Sequence, residues 1–372
     1  MSKHFFKNLR IGNFRGIKSL EINDLARVNL FVGKNNCGKT SVLEAAFLLS
    51  GMSNANLIVT MQNHRGVTIT EGSDIKDFFY NRDHENGSIL SCAQTTGGRN
   101  LKILPLYGNL QVGQAGVVIS KVPGNGDAKY ASEFSMGTPV TGQSLIGFGY
   151  EFSVSGQADE SDVHRAGTHL TERGGKNFVA FTDSGYKEPM RGAGVYLSRR
   201  GYNCDSVDQM LNKKRKELLL SALQSIDPKV VDIKTGSHDL VSVDVGFPDS
   251  FIPINLLGDG IMRILSILSG IDGASDGMLF LDEIENGLHV TALERVWEVI
   301  LNHSAKSNAQ IFLTTHSGDA IESLRNALGE KLFPDVVACY RLVKYSTDEV
   351  RAYRYSADQL QMALASETDI RL

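Results

Sequence analysis

Apolar and polar positions alternate at the start of the chain, at Phe6, Leu9 and Ile11, and again at Ile17, Leu20 and Ile22 after Asn13-Phe14-Arg15-Gly16. A period of two on either side of a glycine-containing turn predicts two short strands. Val28-Asn29-Leu30-Phe31-Val32 is almost continuously apolar, the pattern of a central strand covered on both faces. It stops at Gly33, and from Thr40 the segment TSVLEAAFLL is built from strong helix formers. Strand, glycine loop and helix therefore follow one another.

The middle of the chain reads differently. Roughly half of the 37 glycines fall between Gly87 and Gly194. Short β-like runs, Leu101–Leu104, Gly116–Ile119 and Phe178–Phe181, are separated by GG, PGNG and SG turns. This predicts irregular antiparallel β structure with long loops, and no heptads for a long coiled-coil arm. Helical character returns near Val207 in DSVDQMLNKKRKELLLSALQSI. Its basic stretch, Lys213-Lys214-Arg215-Lys216, reads first as a solvated helix face and second as a DNA contact. Strands are expected around Val230–Ile233 and Leu240–Val245, and an apolar helix over Ile261–Leu268. Buried strands at Met278–Leu281 and Ile311–Leu313 flank a helix whose Leu293, Val296, Trp297 and Ile300 keep the i, i+3, i+4, i+7 spacing. Val336–Leu342, Val350–Tyr355 and a helix at Ala357–Ala365 with Ser356 as N-cap complete the pattern. Buried strands alternating with helices at both ends predict one α/β core, with the β-rich middle inserted into it.

Composition narrows the class. The 372 residues suffice for two or three structural units, and 42% hydrophobic with 22% charged residues is ordinary for a globular protein. A net charge of −4 counts against a generally basic nucleic-acid-binding chain and leaves a local basic groove open. No apolar run approaches the ~20 residues of a membrane span. The first nine residues have no signal-peptide core. Cys37, Cys92, Cys204 and Cys339 are scattered without CxxC spacing, which fits free thiols in a reducing cytoplasm.

The candidate chemistry is concentrated in three places. Gly33-Lys34-Asn35-Asn36-Cys37-Gly38-Lys39-Thr40 matches the P-loop pattern in full, and it lies between a buried strand and a helix. Its glycines let backbone N–H groups turn toward phosphate oxygens, and the helix N-terminus adds its positive end. Lys39 is placed to reach the β- and γ-phosphates, and the Thr40 hydroxyl, followed by Ser41, to ligate Mg²⁺. Phe280-Leu281-Asp282-Glu283 puts two carboxylates at a strand end. Asp282 would hold the Mg²⁺ shell, and Glu283 would orient or deprotonate the attacking water. Thr314-Thr315-His316-Ser317 follows the third buried strand, so His316 is a candidate γ-phosphate contact. A fourth feature, Leu257-Gly258-Asp259-Gly260, looks like a second helix N-terminus facing phosphate; a plain helix start is the default reading of such a turn.

In this order, NFRGI, GKNNCGKTS, LLGDG, FLDEIENGLH and TTHS resemble the ABC-type ATPase heads of the SMC, RecF and OLD group. The resemblance is nearest to stand-alone AAA-15-type ATPases of prokaryotic anti-phage defence modules, and the ending ASETDIRL looks like that subgroup. It covers residues 1–50 and 190–372. The resemblance implies an α/β head with a RecA-like mixed sheet, an N-terminal antiparallel β subdomain and an inserted β-rich and helical segment. The corresponding division is residues 1–86 for the first part of the ATPase core, 87–200 for the glycine-rich insertion, and 201–372 for the helical signature lobe and the rest of the core. It further implies ATP and Mg²⁺ as cofactors and a homodimer, or higher oligomer, that sandwiches ATP. Gly258, Asp259 and Gly260 of one chain would cap the γ-phosphate on the other, and Glu285–His289 would join the two halves. The signature serine of the group is Gly258 here, so backbone N–H groups must replace its hydroxyl, and slow hydrolysis is expected. The nearest residue to a Q-loop glutamine is Gln62.

The expected function is an ATPase that acts as sensor and regulatory subunit of a defence system. It would control a separate nuclease effector such as a Toprim-type protein in response to a phage trigger. Residues 317–372 are too few for a Toprim domain, and Asp282 and Glu283 are committed to the nucleotide, so no nuclease activity of its own is expected. The alternatives are a RecF-like repair ATPase that clamps DNA and a non-hydrolysing scaffold; Glu283 and His316 argue against the scaffold.

Overall fold

The computed structural model of the protein describes residues 5–95, 97–108, 134–139, 143–155, 163–171, 177–182, 186, 194–197, 204–212, 215–236, 240–246, 251–328, 336–345, 349–366 and 370–371. The hairpin β1 (Leu9–Phe14) and β2 (Ile17–Ile22) leads into β3 (Val28–Val32), α1 (Lys39–Ser50), α2 (Asn56–His64) and the short α3 (Gly72–Ile75). Then come β4 (Ser88–Gln94), β5 (Gly97–Gly108), β6 (Phe134–Met136), β7 (Ser144–Ser155), β8 (His164–Thr171), β9 (Asn177–Thr182) and β10 (Gly194–Leu197). A helical lobe follows with α4 (Cys204–Asn212), α5 (Lys216–Gln224), β11 (Asp232–Thr235), β12 (Val241–Asp244), β13 (Ile252–Pro253) and α6 (Asp259–Gly273). The chain finishes with β14 (Met278–Leu281), α7 (Val290–Lys306), β15 (Gln310–Thr314), α8 (Gly318–Leu328), β16 (Val337–Lys344), β17 (Val350–Tyr355) and α9 (Ala357–Ala365). Among the described residues no helix is long and apolar enough to cross a membrane, and there is no long coiled coil.

The core is a mixed six-stranded sheet in the order β10-β14-β15-β3-β16-β17, parallel except for β17. β3 lies inside it between β15 and β16, which explains why all five of its residues are buried. Its side chains still alternate. Phe31 faces the same layer as Phe280, Phe312 and Tyr340, whereas Val28, Leu30 and Val32 face the layer of α6, α7 and α8. The aromatic layer is continuous, with ring centroids 5.4 Å apart for Phe31–Tyr340 and 5.1 Å for Phe280–Phe312. Asn29, the one polar residue of β3, accepts the Ala26 N–H at 2.8 Å and donates to the carbonyls of Ala26 and Ile311, so its burial leaves no donor stranded. Trp297 of α7, fully buried, donates its indole N–H to the Ala320 carbonyl of α8 at 2.8 Å.

The other sheet is antiparallel. Among the described residues it has eight strands, in the order β2-β1-β4-β5-β7-β8-β9 with β6 beside β5. α1 lies between the two sheets, and every residue from Ser41 to Ser50 is buried. A helix covered on all sides needs no polar face, which is why its sequence is apolar almost all round.

The glycine-rich stretch is antiparallel β structure, and its strands extend the sheet that the N-terminal hairpin begins, β4 pairing with β1 (Ile11↔Leu90). The free edge of β1 carries unpaired N–H and C=O groups, and β4 satisfies them. The division at residue 200 shifts, because β10 pairs with β14 in the core sheet (Val195↔Leu279). Inside the stretch, β5 and β7 are strands of 12 residues each, longer than the runs visible in the sequence. The helix read through DSVDQMLNKKRKELLL is two helices, α4 and α5. Of its basic stretch, Arg215 pairs with the buried Asp272 and Lys216 with Asp232; Lys213, Lys214 and the run Gly116–Ile119 lie outside the described residues. At the other end, Ser356 caps α9 in a reciprocal box. The Gln359 N–H donates to Ser356 Oγ at 3.2 Å, and the Ser356 N–H to Gln359 Oε1 at 2.9 Å.

Candidate functional site

β3 ends in the middle of the core sheet and passes the chain to the glycine loop at the mouth of a cleft of about 780 Å³. Gly33 has φ 141°, and a Cβ there would sit 2.5 Å from the Leu342 carbonyl oxygen and 2.9 Å from Cys37 Sγ. Gly38 has φ 98° and is the N-cap of α1. Asn36, at φ 62°, takes the left-handed conformation that asparagine tolerates best among side chains with a Cβ. The first N–H groups of α1, those of Lys39, Thr40 and Ser41, have no partner one turn earlier in the helix and face the cleft end with the positive end of the helix dipole. The Lys39 ammonium bridges the loop, donating to the carbonyls of Gly33 at 2.8 Å and Lys34 at 2.9 Å. Asn35, Asn36, Gly38, Lys39, Thr40 and Ser41 all line the cleft.

The carboxylates arrive from β14. Thr40 Oγ1 lies 3.0 and 3.2 Å from the two Asp282 oxygens, and Thr314 Oγ1 donates to Asp282 Oδ1 at 2.5 Å. Three hard oxygen groups from three chain segments thus converge, a donor set that fits Mg²⁺. Glu283 has φ 50°, a left-handed backbone that costs a residue of this kind about 1–2 kcal/mol. Its surroundings hold it there. The Glu283 N–H donates to Thr314 Oγ1 at 2.8 Å, Arg263 Nη2 donates to the Glu283 carbonyl at 3.0 Å, and Asn286 Nδ2 donates to Glu283 Oε2 at 3.1 Å. Arg263 is buried beneath this turn; desolvation pulls its guanidinium down to about 10, opposed first by Glu285 and then by Asp282 and Glu283.

His316 follows β15 and is half exposed at the cleft, its Nδ1 4.0 Å from Glu283 Oε1 and 3.0 Å from Glu285 Oε1. Arg371 Nη1 donates to the His316 carbonyl at 3.0 Å. The cleft's other wall is cationic. Arg15 and Arg65 both pair with Glu44, a carboxylate buried in α1: Arg15 Nε lies 3.0 Å from Oε2, and Arg65 Nε 2.6 Å from Oε1. The Arg15 guanidinium also lies 4.0 Å over the centroid of the Phe78 ring and donates to Gln62 Oε1 at 3.0 Å. Burial lowers it to about 10, and Glu44 opposes the shift.

The P-loop, Asp282, Glu283 and His316 are therefore brought together. Gln62 is buried beneath Arg15 and does not line the cleft, so it is not placed as a Q-loop glutamine. Gly258, Asp259, Gly260 and His289 do not line it either. Gly258 has φ 103° and ψ 159°, a region open essentially only to glycine, which explains why serine is absent there. The signature turn instead packs on the segment after Glu283: a Cβ on Gly287 would lie 3.2 Å from Asp259 Cβ. Motif reading gave no role to Arg15, Glu44, Arg65, Arg263, Thr314 or Lys344, although Arg15 and Thr314 stand in the motifs NFRGI and TTHS.

A family model described as "AAA ATPase domain" matches residues 5–96, and one described as "AAA domain, putative AbiEii toxin, Type IV TA system" matches residues 157–321. An ATP/GTP phosphatase of Helicobacter pylori is 22% identical over 98% of this chain and 99% of its own. The RecF replication and repair protein of Bacteroides fragilis is 36% identical over 59 residues, 16% of each chain. A crystal structure of an SMC head bound to the C-winged helix domain of ScpA covers 96% of this chain and 99% of its own, at TM-score 0.47 and 9% identity. A P-loop at the end of the buried central strand β3, with Asp282 and Glu283 just after β14 on the far side of β15, defines a nucleotide-binding α/β head. With both family matches, the chain is similar to ABC-type ATPases of the SMC, RecF and OLD group.

Proposed function

We propose that this cleft binds ATP with Mg²⁺ and hydrolyses it at the interface of a dimer, and that the protein is the sensor and regulatory subunit of an anti-phage defence system. The observation that supports hydrolysis most directly is the meeting of Thr40, Asp282, Glu283, Thr314 and His316 around one glycine loop. The loop N–H groups and Lys39 hold the phosphates, and Thr40 and Asp282 hold the cation. Mg²⁺ held by Thr40 and Asp282 would neutralise charge that builds on the phosphate oxygens. Glu283 takes the proton of the attacking water, and His316 hydrogen-bonds the γ-phosphate. Gly258–Gly260 lies away from its own P-loop, as expected for a turn that caps the nucleotide on a second copy. The defence reading is supported by the AAA-15-type motifs and by the match to a family described through a type IV toxin–antitoxin system. A separate nuclease, Toprim-type by family analogy, would then be the effector and a phage protein the trigger.

A RecF-like DNA clamp is the second reading, favoured by the RecF match over 59 residues. Purified protein should release phosphate from ATP and Mg²⁺ and shift from monomer to dimer in light scattering when ATP is added. It should leave plasmid, single-stranded DNA and tRNA intact. Turnover that rises steeply with duplex DNA would favour the clamp, and neither turnover nor ATP-driven association would overturn the proposal.

A further inference from the structure

Glu285 is not part of the P-loop or of the Asp282-Glu283 pair, yet it holds the loop that carries His316. A single oxygen, Oε1, accepts the His316 backbone N–H at 2.9 Å and the Ser317 N–H at 3.2 Å, and it lies 3.0 Å from His316 Nδ1. Its other oxygen is buried without a hydrogen-bond partner. The side chain is only 13% exposed, whereas the His316 ring beside it is 51% exposed. An ionised carboxylate can only accept, so Nδ1 must carry the proton, and Nε2 is the atom left to face the cleft. A phosphate oxygen accepts, so the contact to the γ-phosphate is made through an Nε2–H.

Glu285 also lies in the segment that touches the signature turn. Gly287 packs against Asp259, and Gly260 approaches Leu288, where a Cβ on the glycine would lie 3.9 Å from Leu288 Cδ2. A line of contacts therefore runs from the signature turn through Gly287 and Leu288 to Glu285, and from Glu285 to His316.

We infer that Glu285 is the positioning residue that fixes the tautomer and orientation of His316 and ties them to the signature turn. This rests on the assignment of His316 to the γ-phosphate. Glu285→Ala removes all three hydrogen bonds and should lower kcat about 10–100-fold, the usual cost of losing the partner that orients a functional imidazole, with the KM for ATP little changed. Glu285→Gln retains an acceptor oxygen at the Oε1 position and should recover most of that loss.

Three measurements decide it. In a double-mutant cycle, Glu285→Ala should add less than about twofold to the defect of His316→Ala, because both changes act through one ring. The nitrogen chemical shifts of His316, assigned by their loss in His316→Ala, should report a protonated Nδ1 in the wild type and a changed tautomer ratio in Glu285→Ala. Thermal melting of Glu285→Ala should show that the variant is folded. If His316→Ala turns over at the wild-type rate, the assignment of His316 falls and the inference with it. If His316→Ala is slow while Glu285→Ala turns over normally, or the two defects multiply independently, the inference alone is overturned. An Nδ1 that carries no proton in the wild type overturns it whatever the rates.

Discussion

Glu283→Gln is expected to bind ATP as the wild type does, to hydrolyse it about 10²–10⁴-fold more slowly, and to accumulate as an ATP-bound dimer. The substitution removes a base and little else. Glutamine keeps the length of the side chain and an oxygen that can accept from Asn286 Nδ2, now 3.1 Å from Glu283 Oε2. The backbone bonds that hold residue 283 at φ 50°, from its N–H to Thr314 Oγ1 and from Arg263 to its carbonyl, do not involve the carboxylate. The contact between Thr40 and Asp282 is likewise untouched. Binding and chemistry should separate, and a nucleotide that is bound but not cleaved stays at the interface. Single-turnover phosphate release and light scattering with ATP measure the two parts. Hydrolysis at the wild-type rate would place the base elsewhere.

Lys39→Ala should remove turnover, by at least about 10²–10³-fold, and weaken nucleotide binding with it. The Lys39 ammonium reaches back across the loop to the carbonyls of Gly33 and Lys34. From the same loop it would reach the β- and γ-phosphates of a bound nucleotide, which build negative charge as the bond breaks. Arg15 and Arg65, which also line the cleft, are held by their ion pairs with Glu44. Calorimetric ATP titration of this variant beside Glu283→Gln gives the contrast: one loses binding, the other retains it. Unchanged affinity and turnover in Lys39→Ala would remove the nucleotide assignment altogether.

The parts of the site that could be read early are those whose chemistry is written in consecutive residues. A P-loop needs glycines at Gly33 and Gly38 because the backbone there takes φ 141° and 98°, and that demand is visible in the chain itself. The carboxylate pair and the histidine were readable because each ends a run that only a buried strand would have. Glu44 was not readable. It stands in the middle of an apolar helix, and its meaning comes from Arg15 and Arg65, which lie 29 residues before it and 21 after it. Gln62 shows the converse: its residue type suited a nucleotide contact, and its burial beneath Arg15 removes it from the cleft. Glu285 entered the sequence reading only as the first residue of a segment joining two subunits, and the fold brought the His316 loop onto it.

The sequence by itself determined the local elements: β3, the glycine loop, α1, the strands β14 and β15, and the capped helix α9. Residue period, glycine torsions and capping side chains act over a few neighbours, so their consequences stay in register with the sequence. Tertiary structure decided which strands share a sheet. β4 joins β1 and β10 joins β14 because open strand edges take up whatever N–H and C=O groups the chain can bring to them, and backbone groups carry no residue-type label. It also decided how the site is assembled. Thr40, Thr314 and Asp282 meet within hydrogen-bonding distance although up to 274 positions separate them, because parallel strands align their C-terminal ends at one edge of the sheet.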